Sequence, residues 1–595
     1  MKRYLAFLMA AVMLLCVTSA LAEAPVTEIP REETLTFNGI QWGTPVTFNP
    51  FAPTNVAFPT GGSEQRFLTY EALYMYNMLI NENEPLLADG PIVWEDEYNI
   101  LVNLKKNVHW NDGEPFTADD VVFTYNIGNN KEGGMYVPWT QVWTYLEKIE
   151  KVDDYSVRFT IKKEPYNMYL MPSLMASTRI MPEHIWGPRA AAAEEGKLSE
   201  YILSFFNDDA VGTGPYKVFF WDETRVVGVR DDNYWGQAEN MFGKLPAPKY
   251  VAHPIYQDNA AGNLGFSLGE VDVSQQFLPS VWELQKSMDA PVTTFFSGPP
   301  YHLGAGMPSL VFNLTAPGLS DYAVRKAIAL CLDYEAIGVN AMSGYTNPIV
   351  YCFFNAYLFG DYVDFDDEEL QALMWDTTDL DANIAEANRL LDEAGYADVD
   401  GDGVRELPDG SKYEWKAECP YGWSDWNASL EILSESAKKI GLNIVTYFPE
   451  ASVYNADLQK GVFDIVMNSP YPSLSVAMPW QAAFNVLSSQ NVPPIGEATT
   501  RNYNRYSNPR INELVNKAAG IADKDELVEI FTEIDKIWLS ELPTVLLMYR
   551  PQYFHTTYEG YWTGFAKKDD GTNTPPTLAI DAAGYKNLFS ITPVK

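Results

Sequence analysis

Leu430-Glu431-Ile432-Leu433-Ser434-Glu435-Ser436-Ala437-Lys438-Lys439-Ile440-Gly441-Leu442-Asn443-Ile444-Val445-Thr446-Tyr447 decides the fold class. Within it Leu430, Leu433, Ala437 and Ile440 recur at helical spacing, Gly441 ends the run, and Leu442 to Tyr447 reads as a strand. Upstream, Ile384, Ala387, Leu391 and Ala394 share a helical face, with Asp381 as the expected cap and Gly395 as the stop. Ser156 to Ile161 alternates polar with apolar residues like a half-buried strand, and Ile100 to Leu104 is a mostly apolar run that suits a more buried one. Helices alternating with strands, with no short repeat and no low-complexity linker, predict an α/β architecture.

The chain has 595 residues, several times a typical domain of about 150 residues. Apolar residues make up 47% and charged residues 20%, the balance of a globular protein with a sizeable core. The formal charge of -38 argues against nucleic acid, whose phosphates are bound by clustered Lys and Arg. Acidity keeps such a chain soluble and repels an anionic membrane surface, but it names no ligand.

Lys2 and Arg3, the apolar run Tyr4 to Val17 and the small-x-small site Ala20-Leu21-Ala22 predict a secretory signal peptide over residues 1–22. An exported protein is therefore expected, in the periplasm or on the outer face of the membrane. Cys16 leaves two readings open: a cysteine of the apolar run, or the acylated cysteine of a tethered lipoprotein. Leu15 before it is larger than the residue such lipid signals carry. Cys331, Cys352 and Cys419 allow at most one internal disulfide, so this is no disulfide scaffold.

Catalytic and metal signals are sparse. The five histidines, His109, His184, His253, His302 and His555, show no HExxH or paired zinc spacing. Gly265-Phe266-Ser267-Leu268-Gly269 matches a nucleophile elbow in letters, but Gln257 to Gly262 before it is no strand. Asp398, Asp400 and Asp402, with Gly403, Glu406 and Asp409, follow the order of a calcium loop, hard oxygen ligands around a sharp glycine turn. Asp409 is shorter than the usual bidentate Glu, and Lys412 to Trp415 reads as a strand where a second helix would follow. A structural calcium and a solvated acidic turn both stand; no other cofactor is required.

Aromatics reach 14%, and several lie in polar, turn-rich stretches. Tyr421-Gly422-Trp423-Ser424-Asp425-Trp426 runs into the helix at Leu430, and Tyr471 and Trp480 follow the strand-like run Phe463 to Met467. Each ring has two readings, core packing and a face offered to a ligand. Trp42, Trp423, Trp426, Asn468, Tyr471 and Trp480 are the candidate ligand-binding residues.

Trp110-Asn111-Asp112-Gly113-Glu114-Pro115-Phe116-Thr117-Ala118-Asp119-Asp120-Val121-Val122-Phe123 resembles the signature of family 5 extracellular solute-binding proteins. Further blocks match in order: Gly212-Thr213-Gly214-Pro215-Tyr216, Asn233-Tyr234-Trp235-Gly236, Gly269-Glu270-Val271-Asp272, Asp321 to Ala329 with its R-x-A pattern, and Glu386 to Leu391 followed by Gly395-Tyr396. The resemblance implies a type II periplasmic-binding-protein fold, two lobes around a ligand cleft. It places a first lobe at residues 33–300 with a subdomain inserted at about 74–210, a second lobe at 301–543, and a return to the first lobe at 544–595. It implies hinge closure, an ABC importer's permease subunits as partners, and an oligopeptide or oligosaccharide as ligand.

Peptide-binding members follow the strand matching Phe463 to Met467 with a Trp-x-x-Asp-like stretch, whose acid pairs with the peptide's ammonium. Here Asn468-Ser469-Pro470-Tyr471-Pro472-Ser473-Leu474 stands instead, with no acid before Trp480. A buried ammonium needs a counter-charge, so an oligosaccharide is the favoured ligand and an oligopeptide the second. A secreted hydrolase such as a glycosidase is the rival reading, since 79 acids make carboxylate pairs inevitable.

Overall fold

Thr34–Asn38 is buried along its whole length, as a strand covered on both faces must be. It pairs in parallel with Tyr250–Pro254 on one side and Val273–Ser274 on the other. This strand is the centre of a seven-stranded sheet running Val292–Thr293, Thr556–Tyr558, Val273–Ser274, Thr34–Asn38, Tyr250–Pro254, Arg225–Arg230, Tyr216–Trp221. Thr556–Tyr558 is supplied from near the chain's end and lies antiparallel to both its neighbours. This computed structural model describes residues 28–594 except 54–55, 62–65, 131, 136–141, 473, 552–553 and 577–581. The expected signal peptide and Cys16 lie outside the described residues.

A second sheet has five strands in the order Ile444–Tyr447, Trp415–Glu418, Ile465–Asn468, Ser309–Phe312, Thr544–Leu546. Its first three are parallel, and Ser309–Phe312 runs antiparallel to Ile465–Asn468 and Thr544–Leu546. Between the two sheets the chain crosses twice, and the crossings pair: Gly304–Gly306 and Arg550–Pro551 form an antiparallel ribbon. A four-stranded sheet, Val93–Trp94, Asn99–Asn103, Ser156–Ile161 and Leu146–Asp153, is built within the segment that precedes Tyr216. The α/β expectation holds, and so does the family fold.

The sequence blocks are held by particular contacts. Thr117 caps the helix Ala118–Ile127, its hydroxyl accepting from the Asp119 amide while the Asp120 carboxylate accepts from the Thr117 amide. A Cβ on Gly212 would stand 1.8 Å from the Thr69 carbonyl oxygen, so that position admits only glycine. Tyr234, Trp235 and Tyr585 all donate to the buried Glu71 carboxylate; burial pushes that acid up to about 7. Arg325 of the R-x-A helix donates to the carbonyls of Leu319, Glu541 and Leu542, fastening Tyr322–Cys331 to the long helix Lys524–Glu541.

Element ends correct the sequence reading in places. The helix Leu380–Glu393 is capped by Asp379, which accepts from the Ala382 amide; Asp381 lies inside its first turn. The strand expected over Lys412 to Trp415 starts at Trp415 and ends at Glu418. Ser267 of the elbow-like match ends the helix Asn259–Ser267 and donates to the Leu264 carbonyl, so no strained strand-to-helix turn presents it. Cys331, Cys352 and Cys419 are free and buried. Among the described residues, no helix is long and apolar enough to cross a membrane.

Candidate ligand-binding site

The helix Ser424–Lys438 begins just beyond the carboxyl end of Trp415–Glu418, the end of a parallel sheet at which α/β proteins hold their ligands. Its first turn meets the start of the helix Asn259–Ser267. The Asn259 side-chain amide donates to the Ser424 hydroxyl at 3.2 Å, so the two lobes touch here. Beside that contact lies a cavity of about 320 Å³. Trp42, Arg66, Gln275 and Phe277 reach it from one side, Trp423, Asp425 and Trp426 from the other, and Arg550 from the ribbon.

Two of these rings offer faces to solvent: Trp42 is 40% and Trp423 38% exposed. Trp426 is 6% exposed and meets Trp423 edge to face at 4.9 Å. The Asp425 carboxylate is 1% exposed; its Oδ2 accepts from Nε of Arg550 at 2.7 Å. Oδ1 of Asp425 and Oε1 of Gln275 are buried acceptors without a hydrogen-bond donor. An unmet buried acceptor costs about 1 to 3 kcal/mol.

The remaining candidates lie elsewhere. Asn468 ends its strand and donates to the Tyr454 hydroxyl, whose ring stands 6.3 Å from that of Trp423. Tyr471 packs on Phe353 inside the second lobe. Trp480 is 3% exposed: its indole donates to the Val515 carbonyl, one face stacks on Phe484, and Arg501 covers that phenyl ring at 4.4 Å. With Tyr145, Phe484 and Arg501 it lines a separate cavity of about 530 Å³. A larger groove of about 810 Å³ lies between Glu368–Leu373 and Lys524–Glu541, where Lys536 bridges Asp367 and Glu369. No aromatic ring lines it.

Arg550 and Asp425 were not among the candidates. Asp425 lies inside the aromatic stretch that pointed to the site, whereas Arg550 is 125 residues further on and shows no local signal. The ribbon also carries two buried histidines at its ends. His302 and His555 have three ring nitrogens without hydrogen-bond partners. Burial, followed by His555 and Arg550, pushes His302 down to about 3, and burial pushes His555 down to about 4.

In the acidic loop, carboxylate oxygens of Asp398, Asp400 and Asp402 lie within 4.8 Å of one another. Lys412 bridges Asp400 at 2.8 Å and Glu406 at 3.5 Å and also pairs with Asp402. Glu406 accepts from the Val399 amide, and Asp409 is turned to the Ser411 amide and hydroxyl. Three of the five candidate ligands converge, and the Lys412 ammonium pairs with two of them.

Residues 82–491 match the model of bacterial extracellular solute-binding proteins, family 5. The oligopeptide-binding protein AppA of Bacillus subtilis is 24% identical over 460 residues, 75% of each chain. The probable peptide-binding protein YejA of Agrobacterium fabrum is 23% identical over 514 residues, 82% of this chain and 79% of its own. A mannohexaose-bound periplasmic oligopeptide-binding protein of Thermotoga maritima superposes with a TM-score of 0.83 at 29% identity, covering 95% of this chain and 100% of its own. AppA in complex with a nonapeptide superposes at 0.72 with 22% identity, covering 94% of this chain and 99% of its own. This chain belongs to the family 5 bacterial extracellular solute-binding proteins.

Proposed function

We propose that this protein is the capture receptor of an ABC importer and that its ligand is an oligosaccharide, enclosed when the two lobes rotate about the ribbon. The observation that carries the ligand class is the wall of the cavity. Exposed indole faces at Trp42 and Trp423 suit the apolar faces of sugar rings, and the acceptors Asp425 Oδ1 and Gln275 Oε1 suit hydroxyl donors. The mannohexaose bound by the Thermotoga maritima relative supports this reading. An oligopeptide is the competing ligand, favoured by the nonapeptide in AppA.

A glycosidase needs two carboxylates flanking the scissile bond. Asp425 is the only carboxylate among the described residues of the cavity wall, and it is held by Arg550. Calorimetric titration with mannohexaose, cellohexaose and a free nonapeptide tests the ligand class. Micromolar or tighter binding of a hexaose, with the peptide bound more weakly, is the expected result. Preference for the peptide, or new products when the sugars are recovered, overturns it.

A further inference from the structure

Asp425 sits in the first turn of Ser424–Lys438, where the helix amides favour a carboxylate. Its partner is fixed from behind. Arg550 lies on the ribbon, donates from Nη1 to the Pro551 carbonyl at 3.2 Å, and lays its guanidinium over the Phe554 ring at 4.6 Å. The pair therefore stands in the cavity wall with one carboxylate oxygen paired and the other, Oδ1, buried and without a donor.

We propose that Arg550 determines the ligand class by committing the charge of Asp425, so that the cavity accepts neutral hydroxyl donors and rejects ammonium groups. This rests on the oligosaccharide reading above. An ammonium entering a buried site needs an anion to balance it, and the one carboxylate among the described residues of this wall is already paired. Without Arg550, Asp425 becomes a buried unpaired carboxylate, which draws a cation. A peptide's amino terminus is such a cation.

The test compares the full chain with Arg550→Gln and Arg550→Lys, using mannohexaose, a free nonapeptide and the same peptide N-acetylated. The unmodified protein is expected to prefer the hexaose. Arg550→Gln is expected to lose about tenfold for the hexaose and gain about tenfold for the free peptide, with no gain for the acetylated one. Arg550→Lys keeps the original order. Removing both charges in Asp425→Asn with Arg550→Gln should abolish the peptide gain, and it covers the case in which the single variant melts early. If Arg550→Gln weakens sugar and peptide in parallel, or the double variant still gains the free peptide, Arg550 does not set the class although the oligosaccharide reading stands. If the unmodified protein prefers the free peptide, both fall.

Discussion

The backbone amide of Met168 donates to the carbonyl of Ala519 across 3.0 Å. It ties the segment bearing the four-stranded sheet to the end of the second-lobe helix Pro509–Ala518, and the Tyr169 hydroxyl donates to the Ile521 carbonyl beside it. These contacts and that between Asn259 and Ser424 join chain segments across the cleft.

Tyr169→Phe removes one side-chain bond of this strap and leaves the fold intact. A net hydrogen bond is worth about 1 kcal/mol, so affinity for the captured ligand should fall about fivefold, mainly through faster release. Stopped-flow dissociation checks this, and unchanged release would show that the strap does not hold the closed form.

The tryptophans should separate cleanly. Trp423→Ala removes an exposed ring worth about 1 to 2 kcal/mol to a stacked ligand, so binding should weaken about tenfold or more while the melting curve moves little. Trp480→Ala empties a core position and should cost about 3 to 5 kcal/mol of stability. Loss of stability in the first variant, or loss of binding without loss of stability in the second, would reverse the roles of the two rings.

Stability should depend on pH through groups with opposite signs. His302 and His555 titrate in the fold at about 3 and about 4, below their unfolded value near 6.5. Their contribution is complete above that value and is lost as pH falls towards 4 and 3. Glu418, raised to about 8 by burial and then by Asp457 and Asp464, behaves in reverse: its contribution is present at acid pH and lost as pH rises through 8. His555→Leu should therefore raise the melting temperature more at pH 5 than at pH 8, and Glu418→Gln more at pH 8.5 than at pH 4. Equal shifts at both pH values would mean that these groups do not titrate with folding.

The acidic loop should ignore chelators, because Lys412 already bridges its carboxylates. Lys412→Met should make the melting temperature respond to added calcium. A calcium response in the unmodified protein would instead place the ion among Asp398, Asp400 and Asp402.

The sequence exposed what is local. Alternation from Ser156 to Ile161 is a property of one strand, which stands where the pattern put it, and the helical spacing from Leu430 falls in a helix that ends at Lys438, two residues before Ile440. The aromatic stretch around Trp423 marked the cavity because rings in a polar turn are out of place unless something covers them. Trp480 has a similar setting in sequence but is covered by Phe484 and stabilised by Val515, partners that no local pattern reveals. Arg550 was invisible for the same reason: its role depends on a ribbon formed by chain crossings some 240 residues apart.

The strand Thr556–Tyr558 wedges between Val273–Ser274 and Val292–Thr293. Until residue 556 emerges, these two strands lack the partner that joins them, and the first sheet stays open. The five strands from Val273–Ser274 to Tyr216–Trp221 pair without Thr556–Tyr558, but Val292–Thr293 has no place in the sheet until this late, non-local pairing forms. Trimming a few dozen residues from the far end would therefore damage the part of the molecule that was made first.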